Sequence, residues 1–205
     1  MARERSWDGD FRALGDVGAA PPGSDGGEQD ARLSPDGQWL AWIGQPKTTK
    51  FYAQPGLWLR KVSGGEPVHV TAALDRPVGG FEWAKDGKSL HVVYGDVGLT
   101  KVASIPVSSG AAKTIVPAIG GTRLYLPSSG GDWSMGGDVH VFTTVEADRP
   151  AALGVMKAGK LIGKIDFNEK WRADKTIGAM ERLTWKAPDG LSIEGWLQYP
   201  PNFDP

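Results

Sequence analysis

Two stretches fifty residues apart repeat one pattern: Ala31-Arg32-Leu33-Ser34-Pro35-Asp36-Gly37-Gln38-Trp39-Leu40-Ala41-Trp42 and Phe81-Glu82-Trp83-Ala84-Lys85-Asp86-Gly87-Lys88-Ser89-Leu90-His91-Val92. In each, a short apolar segment meets a four-residue turn ending in Asp-Gly. A strand with apolar alternate positions follows, which is the signature of a tight hairpin between antiparallel strands. Pro35 pre-sets one turn dihedral, and Gly37 and Gly87 take the positive φ that a Cβ resists. The second copy carries Lys85 where the first has proline. Chance recurrence of Asp-Gly in a chain with 29 glycines would not also reproduce the aromatic or leucine before the turn and the leucine after it. A period of about 40 to 50 residues with four strands per unit is the spacing of propeller blades. The expected fold is therefore all-β: a partial β-propeller of about three four-stranded blades followed by a β-hairpin.

Laid along the chain, the period gives a loop-rich N-terminal segment (1–30), blades at about 31–73, 78–117 and 122–166, and a connector with a final hairpin (167–205). The first segment is crowded with Gly15, Gly18, Pro21, Pro22, Gly23, Gly26 and Gly27, which favour loop over regular structure. In the first blade, strands are expected near 38–43, 57–62 and 67–72. The second blade should have strands at 80–83, 89–94, 99–107 and 113–116. Within it, Leu90, Val92 and Tyr94 share one face, and His91 and Val93 point the other way. The third blade should hold strands at 124–126, 139–145, 151–157 and 160–165. Its Asp-Gly turn is replaced by the glycine-rich run 128–137.

Lysine plus arginine number 23 against 24 aspartates and glutamates, so no field of one sign recruits nucleic acid or an anionic membrane. With no cysteine there is no disulfide framework, thiolate metal site or thiol nucleophile. That composition favours the cytoplasm without deciding the compartment. No apolar run reaches the length of a membrane span, and residues 1–8 lack the apolar stretch of a signal peptide. Nine tryptophans, most on strand patterns, favour a β core built from large flat side chains.

Few residues offer chemistry. Asp8-x-Asp10 lacks a third oxygen ligand and a closing glutamate at calcium-loop spacing, and His69, His91 and His140 read as isolated strand histidines. No metal or cofactor is expected. The loop Pro46-Lys47-Thr48-Thr49-Lys50-Phe51-Tyr52 reads either as a lip on a substrate entrance or as aromatics packed on a neighbouring blade. Asp132-Trp133-Ser134-Met135-Gly136-Gly137 nearly spells G-x-S-x-G, the turn that exposes a serine nucleophile in hydrolases. Such a turn must follow a buried strand, open a helix and be followed by an acid and a histidine, whereas no histidine follows His140. Ser134 is not expected to be a nucleophile, and no catalytic residue is assigned.

Toward the end of the chain, Glu181 to Ala187 reads as a strand, Pro188-Asp189-Gly190 as a turn and Leu191 to Gln198 as the partner strand. The run Leu183-Thr184-Trp185 through Asp189-Gly190, then Ile193-Glu194-Gly195-Trp196-Leu197 and Pro200-Pro201-Asn202-Phe203, resembles the passage by which prolyl oligopeptidase family serine peptidases leave their propeller and enter an α/β-hydrolase domain. The upstream blades resemble those of the dipeptidyl aminopeptidase and acylaminoacyl peptidase branch. The resemblance covers about Ala31 to the end. Its C-terminal motif is the specific part, since TolB-like propellers share the Asp-Gly repeats.

The resemblance implies a parent enzyme that cleaves short peptides by acyl transfer, with the propeller restricting access. It also implies a fragment truncated at both ends, ending at the first hairpin of the hydrolase domain, to which no member of the family's Ser/Asp/His triad maps. The chain alone is then expected to be inactive. The alternative is a stand-alone TolB-like binding or scaffold module, completed by self-association through open blade faces.

Overall fold

The computed structural model describes residues 29–45, 53–120, 131–144, 146 and 149–203. Three four-stranded antiparallel sheets follow one another along the chain, each with strands in sequence order from one edge to the other. The first holds β1 (Gln29–Leu33), β2 (Trp39–Gly44), β3 (Gly56–Lys61) and β4 (Val68–His69). The second holds β5 (Val78–Trp83), β6 (Ser89–Asp96), β7 (Leu99–Pro106) and β8 (Lys113–Ile119). The third holds β9 (Trp133–Gly136), β10 (Val139–Thr143), β11 (Leu153–Lys157) and β12 (Lys160–Ile165). A one-turn helix α1 (Glu169–Arg172) then leads to the hairpin β13 (Met180–Lys186) and β14 (Ser192–Gln198). This is a partial propeller followed by a hairpin.

The Asp-Gly turns form for local reasons. In the first, the Ser34 hydroxyl donates to Asp36 Oδ1 (2.5 Å), the Gln38 N–H donates to the same oxygen (3.0 Å), and the Trp39 N–H donates to Ser34 Oγ (2.9 Å). Those donors, the serine hydroxyl foremost, hold the Asp36 carboxyl below the usual carboxylate range. In the second turn the Lys88 N–H donates to Asp86 Oδ1 (3.0 Å), and in the β13–β14 turn the Leu191 N–H donates to Asp189 Oδ1 (3.0 Å). Gly37, Gly87 and Gly190 all have positive φ, at 69°, 67° and 87°. One turn design therefore recurs three times, the last in the terminal hairpin.

The period of two in each strand then decides the packing. Ala41, Ile43, Leu57 and Leu59 of the first sheet meet Val78, Phe81, Leu90, Val92 and Ile105 of the second in one buried cluster. From the second sheet, Val102, Val116 and Ile119 meet Phe142 and Met156 of the third. The second sheet is thus buried on both faces, as the middle layer of a stack.

Two strands differ from expectation. The strand expected at 67–72 is reduced to Val68–His69, because the Leu57 N–H donates to the Thr71 hydroxyl (2.9 Å) instead of a strand carbonyl. The chain then turns through Ala72–Leu74 to Asp75, which takes a left-handed conformation. In the third sheet, the segment read as a decayed turn contains the strand β9, and the β9–β10 connection is the tight Gly137-Asp138 pair, with Gly137 at φ 67°. The strand expected at 124–126 lies outside the described residues.

The terminal hairpin touches the β6–β7 turn. A Cβ placed on Gly98, whose φ is +69°, would meet Trp196 Cη2 at 2.0 Å, so the indole lies directly on that glycine. Gly98→Ala should be destabilising by about 1–3 kcal/mol from left-handed strain alone, and it should also lift Trp196 away. Amide hydrogen exchange should be faster across β13 and β14 in the variant; unchanged exchange there would show that the contact does not hold the hairpin.

Candidate functional site

The alternation of β6 buries Leu90, Val92 and Tyr94 and so sends His91 and Val93 toward the third sheet. On β10 the same alternation buries His140 and Phe142, which are 8% and 6% exposed. Trp133, on β9, stands opposite Phe142 across the strand pair. These alternations bring three rings together at the seam between sheets two and three. His91 and Trp133 have centroids 5.9 Å apart with planes at 29°, His91 and His140 lie 5.9 Å apart at 31°, and Trp133 and His140 lie 6.0 Å apart at 21°.

The nitrogens of this trio are unusual. His91 Nδ1, Trp133 Nε1 and His140 Nδ1 are all buried with no hydrogen-bonding partner in the protein. Buried polar atoms are nearly always paired, so three unpartnered nitrogens in one cluster set this seam apart from the rest of the core. Burial holds both imidazoles below the ordinary histidine range, and for His91 the neighbouring His140 adds to the effect. Asp86 works the other way on His91, and Asp138 on His140. Both rings are thereby held toward the neutral form, able to accept or donate a hydrogen bond but with no nucleophile beside them.

His69 is a different case. It stacks on Trp58 at 4.6 Å and 13°, its Nε2 lies 3.1 Å from the Thr71 hydroxyl, and burial lowers its pKa. Its ring also lies over Gly56, where an added Cβ would meet Nε2 at 2.0 Å. His69 is therefore a packed side chain with a partner.

Ser134 lies on β9 opposite Val141 and is exposed, while Trp133 and Met135 point to the other face and stand opposite Phe142 and His140. Ser134 and His140 therefore project from opposite faces of the third sheet, which keeps them from forming a nucleophile–base pair. Nothing around Ser134 resembles a strand–turn–helix elbow. Among the described residues no group of three or more His, Cys, Asp or Glu is placed to hold a metal ion, and no helix is long and apolar enough to cross a membrane. Asp8, Asp10 and the loop 46–52 lie outside the described residues.

The sequence marked His91 and His140 separately and called them isolated. Each falls at the second or third position of the second strand of its sheet, and stacking consecutive sheets superimposes such positions. That shared position is the signal the sequence carries, and it becomes a contact only when the second and third sheets stack.

At the other end of β6, Asp96 accepts from Arg76 Nε and Lys101 Nζ, both at 2.7 Å. The bond from Lys101, then that from Arg76, holds the Asp96 carboxyl below its usual range. This ion triad ties the β6–β7 turn to the entry of the second sheet and fixes the platform on which Trp196 rests.

No family model matches the chain. Dipeptidyl-peptidase 5 of Porphyromonas gingivalis is 25% identical over 175 residues, an overlap spanning 84% of this chain and 24% of that protein. The uncharacterized peptidase YuxL of Bacillus subtilis is 28% identical over 142 residues, spanning 65% of this chain and 20% of that protein. Among solved structures, AtxE2 isopeptidase with Astexin3-dC4 bound superposes with a TM-score of 0.63 at 15% identity, over 84% of this chain and 25% of that one. Pyrococcus horikoshii acylaminoacyl peptidase superposes with a TM-score of 0.58 at 15% identity, over 78% of this chain and 23% of that one. The chain thus spans a quarter or less of each of these proteins. Repeated turns, stacked four-stranded sheets and curated relatives agree: the chain is similar to the propeller part of prolyl oligopeptidase family peptidases.

Proposed function

We propose that this chain is the non-catalytic propeller portion of a serine-type peptidase acting on short peptides, and that its stacked sheets restrict which substrates reach the reaction centre. The observation that carries this reading is the similarity to a dipeptidyl-peptidase across 84% of the chain, over a fold of propeller sheets followed by an Asp-Gly hairpin. Supporting it, Ser134 projects from the face of the third sheet opposite to His140. A rigid stack buried on both faces of its middle sheet suits a filter, since it resists the opening that a folded substrate would need.

Two assays test the proposal. The chain, incubated with a chromogenic dipeptide and a fluorophosphonate probe, should give neither turnover nor adduct, and Ser134→Ala should change nothing; labelling at Ser134 would overturn the non-catalytic assignment. The intact parent protein should cleave a short peptide yet spare the same sequence inside a folded domain. Equal cleavage of both would remove the filtering role.

One observation favours a second reading, a module completed by self-association. On β12, Leu161, Ile162 and Ile165 are 55%, 60% and 51% exposed, an apolar strand with no cover among the described residues. Sedimentation separates the two readings: a defined symmetric oligomer supports the module, and a polydisperse population supports the peptidase portion.

A further inference from the structure

The seam between sheets two and three is closed over two imidazoles that face each other beside an indole, with three buried ring nitrogens left unpartnered. A second proton on either imidazole would have to sit in this partly buried contact, and protons on both would place two cations with ring centroids 5.9 Å apart. We propose that His91 and His140 form a proton-operated clasp, closed while both rings are neutral and opened along the sheet two–sheet three seam when they are protonated.

The surroundings do not neutralise such charges. Glu82 stands opposite His91 on β5, but burial raises its carboxyl toward the neutral form, with Arg32 acting against that. On the β7 side His91 faces Ser104, which is uncharged, and beyond it in the same row Lys113 of β8 adds positive charge. Asp86, in the β5–β6 turn, favours the protonated form of His91 but ranks below burial and His140 among the influences on it. In the third sheet His140 faces Met135 of β9 and Met156 of β11, neither titratable. Asp138, in the β9–β10 turn, favours protonated His140 more weakly than burial opposes it, and Lys157 lies 3.7 Å from that carboxylate. Neutral packing therefore prevails on both sides of the seam.

The sign follows from linkage. Both histidines titrate lower in the folded chain than in the unfolded one. Well above the ordinary histidine value of about 6.5, neither state binds a proton there, and the seam keeps its full strength. Below that value the unfolded or opened state takes up protons that the closed seam refuses. Stability then falls with pH until the depressed folded values are passed, by up to about tenfold in the opening equilibrium per pH unit for each histidine.

The experiment follows the chain from pH 8 to pH 5 by urea unfolding and by hydrogen exchange, with wild type, His91→Gln/His140→Gln and His69→Gln compared. In wild type, exchange of β9 and β10 amides should accelerate on acidification relative to β2 and β3. The double variant should lose that sheet-specific response and reduce the pH dependence of the urea midpoint to the share His69 carries, whereas His69→Gln should retain the response of β9 and β10. Because the double variant loses packing as well as titration, histidine ring NMR of the wild type provides a second readout. It should show the His91 and His140 resonances titrating below the ordinary value. Ordinary titration of both, or an undiminished seam response in a folded double variant, would overturn the proposal.

Discussion

Phe142→Ala should destabilise the chain by about 3–5 kcal/mol, the range for deleting a buried aromatic, and should free the third sheet first. The ring is 6% exposed and lies in the cluster that joins Val102, Val116 and Ile119 to Met156. It also lies across Gly154 on the adjacent strand, where an added Cβ would meet Phe142 Cζ at 2.9 Å. Loss of the ring also removes the cross-strand partner of Trp133 and with it part of the support for the His91–Trp133–His140 trio. A fall in the urea midpoint at unchanged slope, with β10 and β11 amides exchanging fastest, is the expected record. A shift of the midpoint with uniform acceleration in all three sheets would show instead that the seams open together.

Leu90→Ala is the matching test of the other seam, with an expected loss of about 2–5 kcal/mol. Leu90 is fully buried, between Trp83 and Ile105 on its own sheet, and faces Ala41, Ile43, Leu57 and Leu59. Leu90→Met, which nearly conserves volume, should cost less than about 1.5 kcal/mol. Leu90 and Phe142 belong to separate clusters on opposite sides of the second sheet, so their effects should add to within about 0.5 kcal/mol in the double variant. A strongly non-additive pair would mean that the second sheet transmits strain from one seam to the other.

Legibility varied with the range of the interaction. The hairpins at Asp36-Gly37, Asp86-Gly87 and Asp189-Gly190 were readable because each turn is satisfied by its own residues, an aspartate oxygen accepting a backbone N–H two positions on. The faces of β6 were readable because alternation is local too. Trp133-Ser134-Met135-Gly136 was not readable as a strand. The strand is only four residues long and ends in glycine, and pairing with β10 is what makes it extended. β4 was overestimated because Val70 and Thr71 have the composition of a strand, and only the capture of the Leu57 N–H by a side-chain hydroxyl ends it. The histidine trio lay furthest out of reach. Periodicity states which face a side chain takes, but the residue across the seam belongs to another sheet about fifty positions away in the sequence.

The unequal outer strands of the first and third sheets decide where a foreign strand would add. β4 has two residues, so its free rim offers almost no row of unpaired amides and carbonyls to template a newcomer. β12 has six, all exposed, and three of them are large and apolar. What guards that rim is charge: Lys160 and Lys164 punctuate the strand, and lysine on an edge must be dehydrated before a second backbone can dock. Lys164 is itself engaged by Glu146, which leaves Lys160 as the sentinel at the turn end of β12. Of these two rims, that of β12 is where an added strand would dock.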